Sequence, residues 1–542
     1  MKDEEETAQP DASSPSLTAP PSRVPGSGMR ARSPFLLRPS ALLLSSALGA
    51  VSAAGFAPLA WFPLPVLALA ALMLVWREVN AHASQHGARA AAWHGFAFGL
   101  GLFLSGVSWV YVSLADFGGM PAPLAAVATL LFCGILALYP AAVGYLQQRI
   151  GGIFTMRALL SIPALWTIGE WLRGTVTGFP WLAWGYAHSP PSPLAGFAPV
   201  LGVYGVSLAA AVSAGALAAL AASLLGGRRA PGRLVQGTSH ILVAVALFGC
   251  GFAMRQIAWT EPAGNPVKVA LLQGNIAQNL KFDEDWYEKT LAAYRALALA
   301  SDARLVVWPE TAIPRLLNRI DPDYLGDLND RAAARGADML IGIPYRDGAR
   351  NYYNSVFSFG VSPVQTYSKT HLVPFGEFIP AGFDWVLAIL HIPLGNFARG
   401  PENPSPLAVA GQQVALNICY EDAFGEEIIR QLPQATLLVN VSNVAWFGRS
   451  IAPAQHLQIA QMRTLETGRA MLRATNTGMT AAINAQGLVE QVLPQFESAV
   501  LEAMVEPRTG ATPFVRWGNA PALIIAFALL GIAVPAARPG KQ

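Results

Sequence analysis

Charge is the scarcest feature of this 542-residue chain. Its 36 Lys and Arg and 33 Asp and Glu make up 13% of the residues, whereas 53% are apolar or aromatic and the mean hydropathy is +0.39. An ordinary soluble domain carries roughly a quarter charged residues, so a purely soluble or a disordered chain is excluded. The formal net charge of +3 is too small to hold a phosphate backbone, and no nucleic-acid partner is expected. Cysteine is nearly absent, with three in all. Cys133 and Cys250 fall in apolar runs, where a thiol behaves as a small apolar group. Cys419 stands alone in the more polar later stretch, so no disulfide within that stretch can use it. It is either an inert buried thiol or a free reactive one, and position alone leaves both open. Metal-ligand spacing is missing as well: His371, His391 and His456 are not grouped with other His, Cys or carboxylates, and neither a metal nor a cofactor is expected. The glycines of 95–106 lie in an apolar run and read as helix-packing surface rather than as a phosphate cradle.

The little charge present is unevenly spread. Residues 35–259 hold 13 charged side chains in 225 positions, and residues 266–508 hold 43 in 243. The first stretch reads as membrane, the second as a water-soluble domain with its own core. Apolar runs of about 18 residues or more, enough to cross a bilayer, occur at 38–56, 59–76, 91–114, 123–146, 158–175, 198–225 and 240–259, with an eighth near 519–537. Pro58, Pro63, Pro65 and Pro163 interrupt the first, second and fifth. The fifth also carries Glu170 and Arg173, three apart on one helical face, and these read as a mutually neutralised pair near the membrane surface.

Basic residues near span ends stay cytoplasmic. Arg23, Arg30, Arg32 and Arg38, then Arg77 and Arg89, Arg149 and Arg157, Arg228, Arg229 and Arg233, and finally Arg538 and Lys541 all fall on one side. The alternate loops 113–122 and 175–198 contain no Lys or Arg. The expected organisation is a disordered cytoplasmic tail over 1–34, a seven-span domain over 35–259, a soluble domain over 260–515 facing the periplasm of a Gram-negative cell, and a last span with a cytoplasmic tail over 516–542. The first apolar run reads as a retained anchor rather than a cleaved signal.

Within the soluble stretch, short continuous apolar runs predict buried strands at 267–275, 305–310, 339–344, 414–421 and 436–442, with helical patterns at 283–301, 324–335 and 455–467 between them. Alternation of this kind predicts a layered α/β domain with functional residues at strand ends. Glu310, Lys369 and Cys419 sit at or just beyond such ends. A base that takes the thiol proton, or a cation that stabilises the thiolate, makes a cysteine a competent nucleophile, and a carboxylate with a lysine supplies both.

The strings around these residues carry a resemblance. Trp308-Pro-Glu-Thr-Ala-Ile-Pro314, Tyr367-Ser-Lys-Thr-His-Leu-Val-Pro-Phe-Gly-Glu-Phe-Ile-Pro380, Asn417-Ile-Cys-Tyr-Glu421, Val441-Ser-Asn-Val-Ala-Trp-Phe-Gly448 and Gly468-Arg-Ala-Met-Leu-Arg-Ala-Thr-Asn-Thr-Gly478 resemble the motifs of the carbon–nitrogen hydrolase, or nitrilase, superfamily. More narrowly they resemble its membrane-embedded branch, the apolipoprotein N-acyltransferases, over essentially residues 35–537. The resemblance implies a polytopic α-helical membrane domain of about eight spans, seven plus one, bearing an extracytoplasmic nitrilase-like α-β-β-α sandwich. It implies Glu310 as general base, Lys369 as electrostatic stabiliser and Cys419 as nucleophile, with Glu377, Tyr420, Glu421 and Trp446 as supporting or binding residues. Where the family commonly has acids, this chain has Val444 and Arg449, which puts in doubt an acidic contact from that loop to an incoming amine.

What the resemblance implies for activity is phospholipid-dependent, ping-pong acyl transfer. A fatty acyl chain moves from a membrane phospholipid, with phosphatidylethanolamine the expected donor, through a cysteine thioester to the N-terminal amine of a diacylglyceryl-cysteine apolipoprotein. Lys369 and the backbone N–H after Cys419 are the expected donors to the tetrahedral oxygen. The Trp, Phe and Leu residues of 375–392, notably Phe378, Phe383, Trp385 and Leu387, read equally as a loop that dips into lipid and as an ordinary packed helix. Two alternatives stand beside this reading: a membrane-tethered amidase using the same three residues, and a transporter or receptor with an outward sensory domain, which calls for more ionisable residues inside the spans.

Overall fold

A computed structural model of the chain describes residues 39–82, 87–225, 233–379 and 397–536. The expected tail over 1–34, Phe383, Trp385, Leu387, His391, Arg228, Arg229, Arg538 and Lys541 lie outside them.

Continuous apolar runs become strands covered on both faces. In Val267–Gln273, Val269 and Leu271 point between two sheets while Ala270 and Leu272 pack under helices. The first sheet runs in the order Ala499–Val505, Val267–Gln273, Leu305–Val307, Asp338–Arg346, Tyr352–Gly360, Thr366–Ser368. The second runs Val489–Val492, Ala481–Ile483, Met471–Thr475, Leu437–Ser442, Gln412–Ile418, Leu407–Val409. Each has three parallel strands at its centre and antiparallel strands outside. Leu271, Val307 and Leu340 of one sheet and Leu416, Val439 and Leu472 of the other share one buried interior.

Two helices, Glu284–Leu299 and Pro322–Ala334, cover the first sheet through Tyr287, Leu291, Leu328 and Ala332. Asp283 and Asp321 cap them by accepting from the N–H two residues on. The helix Ala452–Thr467 covers the second sheet through Leu457 and Ala460. The layers are therefore α-β-β-α, as expected, and the parallel strands deliver Glu310 and Cys419 to the same end of the two sheets.

Among the described residues, four helices are long and apolar enough to cross a membrane: Pro63–Ala81, Ala122–Ile150, Pro193–Leu225 and Gly237–Met254. A fifth candidate is the pair Gly87–Gly106 and Val110–Phe117, bent by 57°, and shorter apolar helices span Pro39–Ala53 and Ala520–Val534. Glycine lets these helices approach backbone to backbone. A Cβ on Gly101 would lie 1.9 Å from the Ser46 carbonyl oxygen, and one on Gly95 would lie 2.2 Å from that of Pro140.

Glu170 and Arg173 differ from their expected arrangement. They serve a buried loop rather than closing on each other: Glu170 Oε1 accepts from the Trp184 N–H (2.9 Å) and Trp166 Nε1 (3.0 Å), while Arg173 donates to the carbonyls of Phe179 and Trp181 (2.6 Å each). Irregular backbone inside an apolar body needs such partners, and two side chains with opposite hydrogen-bonding roles supply them.

The helix Ala452–Thr467 has no free face. Opposite the sheet, Gln455 Oε1 accepts from Trp109 Nε1 (3.1 Å) and Trp181 Nε1 (2.8 Å), and its Nε2 donates to the Gly106 carbonyl (2.9 Å). Gln458 Oε1 accepts from the Ala57 N–H at 3.0 Å. The helix at Ala198–Leu225 breaks at Gly202 (φ 66°), which frees the Val203 N–H, and Glu466 Oε1 takes it at 2.7 Å while also holding Arg463. This helix is thus one of the places where the sandwich docks on the apolar helices, its polar side chains satisfying backbone and indole donors.

Replacing Gly101 by Val should force apart the helices at Pro39–Ala53 and Gly87–Gly106, costing about 1–3 kcal/mol or more. A lowered unfolding midpoint in detergent checks this. Gly134, whose Cβ would meet nothing within 4 Å, should accept the same change with little effect.

Candidate active site

Glu310 follows the strand Leu305–Val307 and is 8% exposed. Its carboxylate is held at both oxygens: Oε1 accepts from Asn354 Nδ2 (2.7 Å), and Oε2 from the Asn443 N–H (2.8 Å). Lys369 follows the strand Thr366–Ser368 and is 1% exposed. Its Nζ lies 2.9 Å from Glu377 Oε2, 3.0 Å from Glu377 Oε1 and 3.6 Å from Glu310 Oε1. Asn354 Nδ2 also donates to Glu377 Oε1 at 2.8 Å, so one amide ties the two carboxylates to each other and to the ammonium between them.

Cys419 follows the strand Gln412–Ile418 and opens a 3₁₀ turn with φ of 55°. That left-handed conformation is costly for a residue with a Cβ and persists only where its surroundings fix it. The fixing groups are visible. Asn440 Nδ2 donates to the Cys419 carbonyl at 3.0 Å, and Asn440 Oδ1 accepts from Arg473 (2.7 Å) and Ser442 Oγ (2.7 Å). Arg473 in turn pairs with Asp422 (2.9 Å), whose other oxygen meets His456 Nε2 at 2.7 Å. On the other side Glu421 accepts from the Ile418, Thr370 and His371 N–H groups and from Tyr367 Oη, fastening the cysteine turn to the segment that carries Lys369.

The electrostatics follow from this enclosure. Burial, and next the negative field of Glu310, push the Cys419 thiol up to about 12, so the resting sulfur is protonated. Burial alone would strip Lys369 of its charge, but Glu377 and then Glu310 outweigh it and raise the ammonium above its ordinary value. Burial raises Glu421 despite its Lys369 neighbour and its N–H donors. A neutral thiol, a held carboxylate and a fixed cation are the parts a proton-coupled nucleophilic attack requires.

Of the residues singled out in the sequence, Glu310, Lys369, Glu377, Cys419 and Glu421 converge. Tyr420 turns away from the carboxylates and packs into the apolar cluster of the helices, edge-on to Phe424 at 5.1 Å. Trp446 lies on the helix-facing wall, its carbonyl accepting from Ser113 Oγ (2.8 Å) and its ring edge-on to Phe117 at 6.4 Å, with no hydrogen bond to the convergent group among the described residues. Val444 is 2% exposed and Arg449 is solvent-facing, stacked 4.3 Å over Phe496. The loop's service to the site is the Asn443 main-chain N–H, which a change at 444 leaves in place.

Sequence reading missed Asn354, Asn440, Asn443, Asp422, Arg473 and a second buried lysine, Lys281. Polar residues inside otherwise apolar strands were the available signal for Asn354, Asn440 and Arg473. Cys419 belongs to two apolar bodies at once. It packs on the interior shared by the sheets and on the cluster formed by the apolar helices.

Two family models match the chain: the apolipoprotein N-acyltransferase N-terminal domain over residues 48–216 and the carbon-nitrogen hydrolase domain over residues 268–514. Curated relatives named apolipoprotein N-acyltransferase are 49% identical in Nitrosomonas europaea, covering 91% of this chain and 95% of that one, and 46% identical in Ralstonia nicotianae, covering 89% and 90%. A solved carbon-nitrogen hydrolase from Helicobacter pylori aligns with 51% of this chain and 96% of its own, at 14% identity and a TM-score of 0.34.

With Cys133 and Cys250 replaced by Ala, ultraviolet thiolate absorbance from Cys419 should be absent between about pH 6 and 9, because raising an acid's pKa favours its neutral form. An absorbance step inside that window would contradict the enclosure described above.

Proposed function

The chain belongs to the apolipoprotein N-acyltransferase family, and from that premise we propose how it moves an acyl chain. The donor is a membrane phospholipid, phosphatidylethanolamine by preference, and the acceptor is the N-terminal amine of a diacylglyceryl-cysteine apolipoprotein. Glu310 takes the Cys419 proton as Sγ attacks the ester carbonyl. The tetrahedral oxygen draws on Lys369 and on the backbone N–H after Cys419. The C–O bond then breaks, the departing alkoxide receives the proton from Glu310, and a thioester remains with a lysophospholipid free to leave. In the second half the amine attacks the thioester, Glu310 passes an amine proton to the leaving Sγ, and the amide departs. Glu377 and Asn354 position the cation and the base, and Glu421 positions the cysteine turn.

The observation that carries this reading is the seam: the thiol beside Glu310 and Lys369 also packs on the cluster of apolar helices. Each acyl methylene buried there contributes roughly 0.8 kcal/mol, so a long chain binds strongly along such a wall. A small-amide hydrolase has no use for that wall, which weighs against the amidase alternative. In this proposal the helices form eight spans in a seven-plus-one arrangement within the bacterial inner membrane. Residues 35–259 and 516–542 form the membrane domain, and 260–515 the periplasmic catalytic domain. The one-sided Arg and Lys distribution supports that orientation.

Intact mass spectrometry after incubation with phosphatidylethanolamine tests the reading. Wild type should gain one acyl mass, released by hydroxylamine or by a diacylglyceryl-cysteine peptide, and Cys419→Ala should gain none. Turnover of small amides without an adduct would favour the amidase instead.

A further inference from the structure

Donor and acceptor in the proposed reaction carry the same reactive group. A phospholipid and a diacylglyceryl-cysteine both present fatty esters of glycerol, and a thiol with Lys369 and an apolar wall recognises an ester and its chain in either one. What the donor alone brings is a phosphodiester with its negative charge. A site that spares the acceptor's own esters therefore needs a cation that reads phosphate, one that is free of acids and open to solvent.

Most cations around the cluster are engaged. Lys369 lies between Glu377 and Glu310, Lys281 is 3% exposed and donates to the Glu310 carbonyl, Arg473 is buried against Asp422, and His371 meets Glu427 at 3.0 Å. Arg399 differs. It is solvent-facing, and among the described residues no carboxylate pairs with it. Its guanidinium lies over the Phe378 ring, 5.7 Å from Cζ to the centroid, a contact that holds the cation without using its N–H donors.

The backbone fixes Arg399 at the rim of the cluster. The Phe397 N–H donates to the Glu377 carbonyl (2.9 Å), the Ala398 N–H to that of Tyr352 (2.7 Å) and the Gly400 N–H to that of Lys369 (2.8 Å). A Cβ on Gly400 would lie 2.1 Å from the Ser368 carbonyl oxygen, so this segment lies flat on the strand that delivers Lys369. Phe378 directly follows Glu377, the carboxylate that holds Lys369. It also follows a turn, closed by the Val373 N–H on Glu377 Oε2 (2.8 Å), in which Val373 packs on the apolar helices. Arg399 is thus seated between main-chain contacts to both members of the ion pair, over a ring next to the turn that touches the apolar body.

We propose that Arg399 binds the phosphodiester of the acyl donor through its N–H fork, so that a phospholipid, and not the acceptor's own diacylglyceryl group, supplies the chain. A phosphate accepts two parallel N–H bonds from a guanidinium. The glycerol then spans from that phosphate to the ester offered to Cys419. This inference rests on the acyl-transfer reading, and it makes Arg399 a specificity residue for the donor half alone.

The test uses the full chain in detergent and compares three sources of the same acyl chain: phosphatidylethanolamine, a nitrophenyl ester of the fatty acid, and an N-acetylated diacylglyceryl-cysteine peptide, whose blocked amine prevents discharge. Intact mass spectrometry reads the rate of adduct formation in wild type, in Arg399→Gln and, as a control for general surface charge, in Arg346→Gln, whose guanidinium lies 5.4 Å over the neighbouring Tyr352 ring. Arg399→Gln should lose roughly ten- to hundredfold of the rate with phosphatidylethanolamine. It should keep the wild-type rate with both phosphate-free sources and discharge a formed adduct to a free-amine diacylglyceryl-cysteine peptide as wild type does. Arg346→Gln should match wild type throughout. Equal slowing with all three sources would mark a structural role for Arg399 and overturn the proposal. Unchanged acylation by phosphatidylethanolamine, or an equal loss in Arg346→Gln, would overturn it too. A wild type that forms no adduct from any source would instead overturn acyl transfer itself.

Discussion

An ammonium and two carboxylates sealed from water must face one another or lose their charges. The grouping of Lys369 between Glu377 and Glu310, bridged by Asn354, is the constraint on which the rest of the site depends. Removing one member of such a cluster leaves its partner buried and uncompensated, which costs far more than the pair contributes while intact. The arrangement also fixes the division of labour. A cation held by two acids cannot give up its proton, so it can act only through its field. In the proposed reaction the proton traffic falls to Glu310, whose two oxygens are aimed by Asn354 and by the Asn443 main chain.

That cluster matters because of where the fold puts the thiol. Cys419 sits at the end of a central strand, in a strained backbone conformation, between two layers that belong to different solvents. One is the interior of a sandwich that suffices for a soluble hydrolase. The other is a body of apolar helices, bonded to the sandwich through Gln455, Gln458 and Glu466. Joining the two at the nucleophile turns a hydrolase scaffold toward lipid substrates, and a dry wall beside the thioester disfavours its loss to water.

Much of this was legible in the sequence because it is encoded locally. Continuous β-branched runs marked the strands ending near Glu310 and Cys419, and each of the three central residues arrived inside a long recognisable string. What could not be read was relational. Neither Asn354 nor Lys281 carries a local mark of its partner in the sequence. Each gains meaning only when the fold brings Glu310 against it. Glu170 and Arg173 misled for the same reason. Their spacing suggested a pair, but the unsatisfied backbone they serve belongs to a loop whose path the sequence does not reveal.

In the proposed reaction the acyl chain leaves the sulfur along the apolar helices. A phosphatidylethanolamine whose transferable chain carries a diazirine tests it most directly: the adduct is formed, illuminated and mapped by peptide mass spectrometry. Cross-links from Cys419 to peptides of residues 48–225 are the predicted result. Cross-links confined to residues 268–514, with none in the helices, would contradict the account.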